Sequence, residues 1–109
     1  MPEILKGLEA PYYAVIFTAT PSADTSGYPE ALGRMLELVK TMPGFLGVEA
    51  IGEKSGEIVV SYWRDEEAIL NWKAVADHRA AQQRGRDQWY SGYAVRVARV
   101  ERSYTFFRD

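Results

Sequence analysis

Two stretches of this chain carry apolar residues on both of their alternating faces, and that restricts the available folds more than any other feature. Tyr12–Thr20 places Tyr13, Val15 and Phe17 on one side of a strand and Tyr12, Ala14 and Ile16 on the other. Glu57–Arg64 does the same, with Val59 and Trp63 against Ile58, Val60 and Tyr62. Strands apolar on both faces are covered on both sides. The sheet that contains these two therefore needs a layer against each face.

The stretches between them supply one layer. From about Tyr28 to Met42, Leu32, Met35, Leu36 and Val39 recur at helical spacing, with Pro29 in the first turn and Pro43-Gly44 as the stop. Phe45–Glu53 reads as a strand, and Lys54-Ser55-Gly56 is a tight connection that returns the next strand antiparallel. Asp65 is a helix N-cap, and Glu66 and Glu67 sit where the helix dipole favours acids. The following helix carries Ala68, Ile69, Trp72, Val75 and Ala76 on one stripe. A break near Asp77 leads into a further expected helix, from His78 to about Tyr90, whose row is His78, Ala81, Gln82, Gly85 and Trp89. The last strand is expected from Tyr93 to Phe107. Its apolar phase is odd at Val95 and Val97, then even at Ala98, Val100, Tyr104 and Phe106, which predicts a bulge or a change of layer.

The order strand, helix, strand, strand, helices, strand is a ferredoxin-like split βαβ arrangement, an α+β fold with an antiparallel sheet. Helices cover one face of such a sheet. The cheapest cover for the other is a second copy, so a homodimer with its sheets face to face is expected. Residues 1–11 read as a poorly fixed lead-in and residues 12–107 as one domain, since 109 residues make one domain and no more.

Composition excludes several functions. There is no cysteine, which rules out disulfides, thiol nucleophiles and cysteine-ligated metals. The single histidine rules out a multi-histidine metal site. A net charge of −2 argues against a nucleic-acid partner bound by phosphate neutralisation. No run approaches membrane-spanning length and no secretory leader is legible, so no membrane partner and a cytoplasmic location are expected. No glycine-rich nucleotide loop is present, which speaks against a tightly bound flavin or nicotinamide.

The turn Met42-Pro43-Gly44-Phe45, the run VVSYWRDEEAILNWK and the tail AVRVARVERSYTF resemble the antibiotic biosynthesis monooxygenase (ABM) superfamily of dimeric α+β barrels, over roughly residues 12–106. HRAAQQRGRDQWYSGY looks like a bacterial branch of it. The resemblance implies a monooxygenase that ionises a small aromatic, phenol- or quinol-like molecule and lets the anion meet dioxygen without metal or organic cofactor. A second chemistry of the superfamily is haem degradation, with an asparagine on the first strand, a tryptophan on the helix after the third strand and an iron-binding histidine. Trp72 matches that tryptophan. Strand one has no asparagine, and Gln82 stands where the histidine would fall, with His78 about one turn earlier. A third reading is a small-ligand-binding dimer without turnover.

Of the candidate site residues, His78 titrates nearest neutrality and reads as a general base, as an iron ligand, or as a polar residue bridging two helices. Trp72 is either core or pocket wall. An aromatic pocket would draw on Tyr13, Phe17, Tyr62, Trp72 and Trp89, with Gln82 and Arg86 as polar contacts. Arg86 reads equally as an exposed helical arginine beside Asp87. Trp63 reads as core.

Overall fold

The computed structural model describes residues 3–77 and 88–108. Its elements run β1 (Tyr12–Pro21), α1 (Tyr28–Val39), β2 (Phe45–Glu53), β3 (Gly56–Trp63), α2 (Glu66–Asp77) and β4 (Tyr90–Val100). The four strands form one sheet in the order β2-β3-β1-β4. Every neighbouring pair is antiparallel. This is the expected α+β ferredoxin-like arrangement, and the two strands apolar on both faces are the two central ones.

The register assigns side chains to faces. Tyr13 pairs with Trp63, Val15 with Ser61 and Phe17 with Val59. Residues paired directly across a ladder point to the same side. That side carries the helices, because Trp63, fully buried, packs with Val39 of α1 and Ala68 of α2, and Tyr13, Val15 and Trp72 pack against them. Deleting a ring buried in this way costs about 3–5 kcal/mol in proteins generally, so Trp63 anchors the two layers.

Local chemistry explains the ends of the elements. Gly27 takes φ 82° as the N-cap of α1, with Pro29 in its first turn. The helix stops at Val39, three residues short of the expectation. There the Thr41 and Met42 N–H groups turn to the carbonyls three residues back, Leu38 and Val39, at 3.0 Å each. Such tightening ends a helix ahead of a proline, which disfavours helical backbone in the residue before it. At α2 the Asp65 carboxylate accepts the Ala68 N–H at 2.8 Å, the cap the sequence announces.

β4 differs from its expected span. It begins at Tyr90 and ends at Val100, whose partner is Tyr12, the first residue of β1. Beyond that pair β1 offers no ladder, because Pro11 has no N–H to donate. Residues 101–108 carry no regular structure, and Tyr104 is 97% exposed. Of the even apolar phase read as the second half of a long strand, Ala98 and Val100 lie in β4 opposite Ala14 and Tyr12, and only Tyr104 and Phe106 belong to this tail. The irregularity in β4's pairing falls instead at Thr20/Pro21. The helix expected over 78–90 lies mainly outside the described residues, and its last residue, Tyr90, is strand.

On the face away from the helices, Leu5 of the N-terminal stretch donates its N–H to Glu49 Oε2 at 3.0 Å. Its side chain occupies the space a Cβ at Gly47 would need, 2.5 Å away. Further along this face Ile51 and Ile58, partners across β2 and β3, are 49% and 46% exposed.

Candidate functional site

The end of the sheet where β1 finishes and β3 begins is pulled tight. A Cβ on Gly56 would lie 2.9 Å from the Ala19 carbonyl, so only glycine allows the two strands this approach. Glu57 follows at once and pairs with Ala19, which puts its carboxylate on the helix side. The loop leaving β1 is stitched to the start of β4. Ser22 N–H donates to the Trp89 carbonyl at 2.7 Å, and the Trp89 indole N–H donates to the Ser26 carbonyl at 2.8 Å. Gln88 Nε2 reaches Asp24 at 3.0 Å. These bonds fix Tyr28, the first residue of α1, against Trp89 and Tyr90, with ring centroids 5.3 and 5.5 Å away.

A cavity of about 450 Å³ opens there, lined by Ala19, Pro21, Tyr28, Glu57, Trp89 and Tyr90 among others. Its apolar wall continues along the sheet. Phe17 meets Tyr90 edge-on at 5.4 Å and Tyr93 at 5.6 Å. Beyond them Val95 and Val97, which pair with Phe17 and Val15, are about half exposed at 53% and 51%. The helix side of β4 is therefore an open apolar strip leading away from the cavity.

The polar edge is a short chain of hydrogen bonds. Tyr28 Oη donates to Glu57 Oε1, and Tyr90 Oη donates to Tyr28 Oη at 2.9 Å. Burial, then the hydrogen bond to Glu57, hold the Tyr28 hydroxyl far above the ordinary tyrosine value. Burial is also the main cause that pushes Tyr90 up to about 12. Both phenols keep their protons at neutral pH.

The sequence-derived candidates divide into three groups. Tyr13, Phe17, Trp72 and Trp89 all lie on the helix side. They form two aromatic clusters rather than one, with Phe17 and Trp89 at the cavity end. Tyr13 and Trp72 sit at the Trp63 end, where Trp72 stacks on Trp63 at 6.4 Å. Tyr62 is on the opposite face, because it pairs with Ala14 rather than with an odd-numbered residue of β1. There its hydroxyl donates to Glu49 Oε1 at 2.6 Å and its ring meets Tyr12 at 5.7 Å. Burial and the Glu49 bond raise its pKa. His78, Gln82 and Arg86 lie outside the described residues. Among the described residues no group of three acidic, histidine or cysteine side chains could hold a metal ion, and no helix is long and apolar enough to cross a membrane.

Tyr28 and Glu57 were not legible as site residues. A signal exists for Glu57: it is the one charged residue of β3, in phase with Val59 and Trp63. Tyr28 had none, since an aromatic ahead of a helix-starting proline reads as ordinary packing.

Residues 11–84 match the sequence family described as antibiotic biosynthesis monooxygenase. The chain is 48% identical over 99 residues to the uncharacterised protein YqjZ of Bacillus subtilis, a match covering 90% of this chain and 87% of that protein. It is 33% identical over 101 residues to the jasmonate monooxygenase ABM of Pyricularia oryzae, covering 84% of this chain but only 44% of that enzyme. Among solved structures, a variant of SnoaB, a cofactor-independent oxygenase from Streptomyces nogalater, superposes with a TM-score of 0.73 at 12% identity, over 86% of this chain and 97% of that one. Rv0793 of Mycobacterium tuberculosis also gives a TM-score of 0.73, at 14% identity, over 86% and 99% of the two chains. At these identities the structural likeness is one of fold.

Proposed function

The chain belongs to the antibiotic biosynthesis monooxygenase family, and on that premise we propose that it is a monooxygenase for a small aromatic, quinol- or phenol-like substrate, working without metal or organic cofactor. The observation that carries this reading is the aromatic-lined cavity of about 450 Å³ between α1 and the helix side of the sheet. A space of this kind suits a flat, hydrophobic molecule held by a few polar groups. Tyr28, Trp89 and Tyr90 supply its aromatic wall, Phe17 packs behind Tyr90, and Tyr13 and Trp72 belong to the separate cluster at the Trp63 end.

Such a substrate carries its own electrons. Loss of one hydroxyl proton gives an electron-rich anion that adds dioxygen at a ring carbon. The peroxide anion so formed takes up a proton, and the hydroperoxide then loses water as its O–O bond and the C–H bond of the same ring carbon break, leaving one oxygen atom on the ring as a carbonyl. A quinol that follows this course becomes a hydroxyquinone, and the four electrons that reduce dioxygen all come from the quinol. The protein must place the ring, take the first proton and keep the anion dry.

His78 is the group proposed to take that proton, as the one side chain with an unperturbed pKa near neutrality. Replacing His78 with alanine is expected to abolish oxygen uptake with quinols while leaving the melting temperature and the oligomeric mass unchanged. Undiminished uptake in that variant removes His78 from the mechanism. The functional unit proposed is a homodimer joined through the sheet face that carries Ile51 and Ile58.

A further inference from the structure

The direction of the Tyr90–Tyr28–Glu57 chain follows from the chemistry of its last member. A carboxylate has no hydrogen to give, so the Tyr28 hydroxyl must donate to Glu57. With that hydrogen spent, only Tyr90 can supply the one between the two phenol oxygens, 2.9 Å apart. Tyr90 lines the cavity and can therefore offer it only lone pairs. Burial keeps both hydroxyls protonated, so this polarity persists through the neutral range.

Among the described residues, the other hydroxyls lining the cavity belong to Ser22 and Thr25. The Ser22 hydroxyl is turned to the Gln88 carbonyl. Among the described lining residues Glu53 and Lys54, neighbours in the hairpin, carry opposite charges, and Glu57 adds a second negative one. An organic anion entering would meet an acceptor, Tyr90, backed by a carboxylate.

We infer that this cavity selects a ring bearing a neutral hydroxyl, which donates to Tyr90 Oη, and excludes organic acids of the same shape. The inference rests on the cavity being the site of the aromatic substrate. For a quinol, one hydroxyl is held protonated on Tyr90 and the other is left to be ionised. Glu57 and Tyr28 are positioning residues: they orient Tyr90 without touching the ligand's reacting carbon.

Three probes of one ring system test this by calorimetric titration of the full chain: 1-naphthol, 1-methoxynaphthalene and 1-naphthoate. The expected order is 1-naphthol tightest, its methyl ether weaker by ~10-fold for the lost donor, and the acid weakest. Tyr90→Phe keeps the ring but removes the acceptor, so the naphthol and its ether should bind alike. Glu57→Gln replaces a pure acceptor with an amide that gives or accepts, which frees the chain to reverse, so ether binding should rise towards that of the naphthol. Equal binding of naphthol and ether by the wild type, tightest binding of the naphthoate, or no binding of any probe overturns the inference. So does unchanged discrimination in Tyr90→Phe, which decides the matter even where Glu57→Gln fails to fold. Oxygen uptake separates the two proposals. Naphthol selectivity without any turnover of quinols would sink the oxygenase reading and leave this one standing. Turnover without selectivity would do the reverse.

Discussion

Gly44 holds φ 83° in the turn between α1 and β2, and a Cβ there would lie 2.7 Å from that of Ala68. Two penalties coincide at this residue: left-handed backbone, which costs an L-residue about 1–2 kcal/mol, and a collision with α2. Gly44→Ala is therefore expected to destabilise the fold by at least ~2 kcal/mol in denaturant unfolding, and a loss under ~0.5 kcal/mol, the ordinary surface value, would contradict this account. The Pro-Gly pair made this turn legible in advance. Tyr62 shows the opposite case. Alternation along Glu57–Arg64 separates its side chains into two sets, but which set looks at the helices depends on pairing with β1. Tyr62 falls opposite Ala14 and so shares a face with Tyr12. A one-residue change of register would have moved it to the helix side, and that register cannot be read from one strand alone. Glu57 was hidden for a related reason. Its meaning comes from Tyr28, 29 residues away in the chain.

Among the elements, α2 was the most legible, because its cap, its acidic first turn and its apolar stripe agree. The Asp65 carboxyl is held below its usual range by the Ala68 N–H first and by Arg64 second. A depressed folded pKa contributes stability that is present above the unfolded value, about 3.9, and fades as pH falls through the folded one. Asp65→Ala should lower the melting temperature at pH 7. The difference from wild type should shrink below about pH 4. A gap that stays constant down to pH 2 would show that the cap's charge contributes nothing. β4 was less legible because its end is set by its neighbour. An apolar pattern runs on to Phe106, but the ladder stops where β1 stops, at the pair Tyr12–Val100. Propensity cannot report where a partner runs out. α1 was overextended for a local reason, the tightening that precedes Pro43.

At the scale of the whole molecule, the α+β topology followed from element order and from the doubly apolar central strands, Tyr12–Pro21 and Gly56–Trp63. The covered face is the helix layer around Trp63. The second face is partly covered by the N-terminal stretch at Leu5, while Ile51 and Ile58 remain open at 49% and 46% exposure. A second sheet packed there would bury them, which is the physical case for the proposed dimer. Sedimentation at micromolar concentration should give twice the chain mass, and Ile58→Lys should shift it to the monomer. A monomer mass for the wild type at every concentration would remove the dimer. A charged side chain on a half-exposed position of an open sheet face should not unfold the subunit, so the variant's melting also separates lost association from lost folding.

Under the proposed function, one atom of dioxygen enters an aromatic ring bound on the helix side of this sheet. This is tested most directly by supplying 1,4-dihydroxynaphthalene and isotopically labelled dioxygen to the metal-chelated protein and analysing the products by mass spectrometry, with the His78→Ala variant in parallel. The expected product is 2-hydroxy-1,4-naphthoquinone carrying a single labelled oxygen, formed faster than in buffer, with no hydrogen peroxide and with the variant at the buffer rate. Unlabelled 1,4-naphthoquinone accompanied by hydrogen peroxide, at the rate seen without protein, would contradict it.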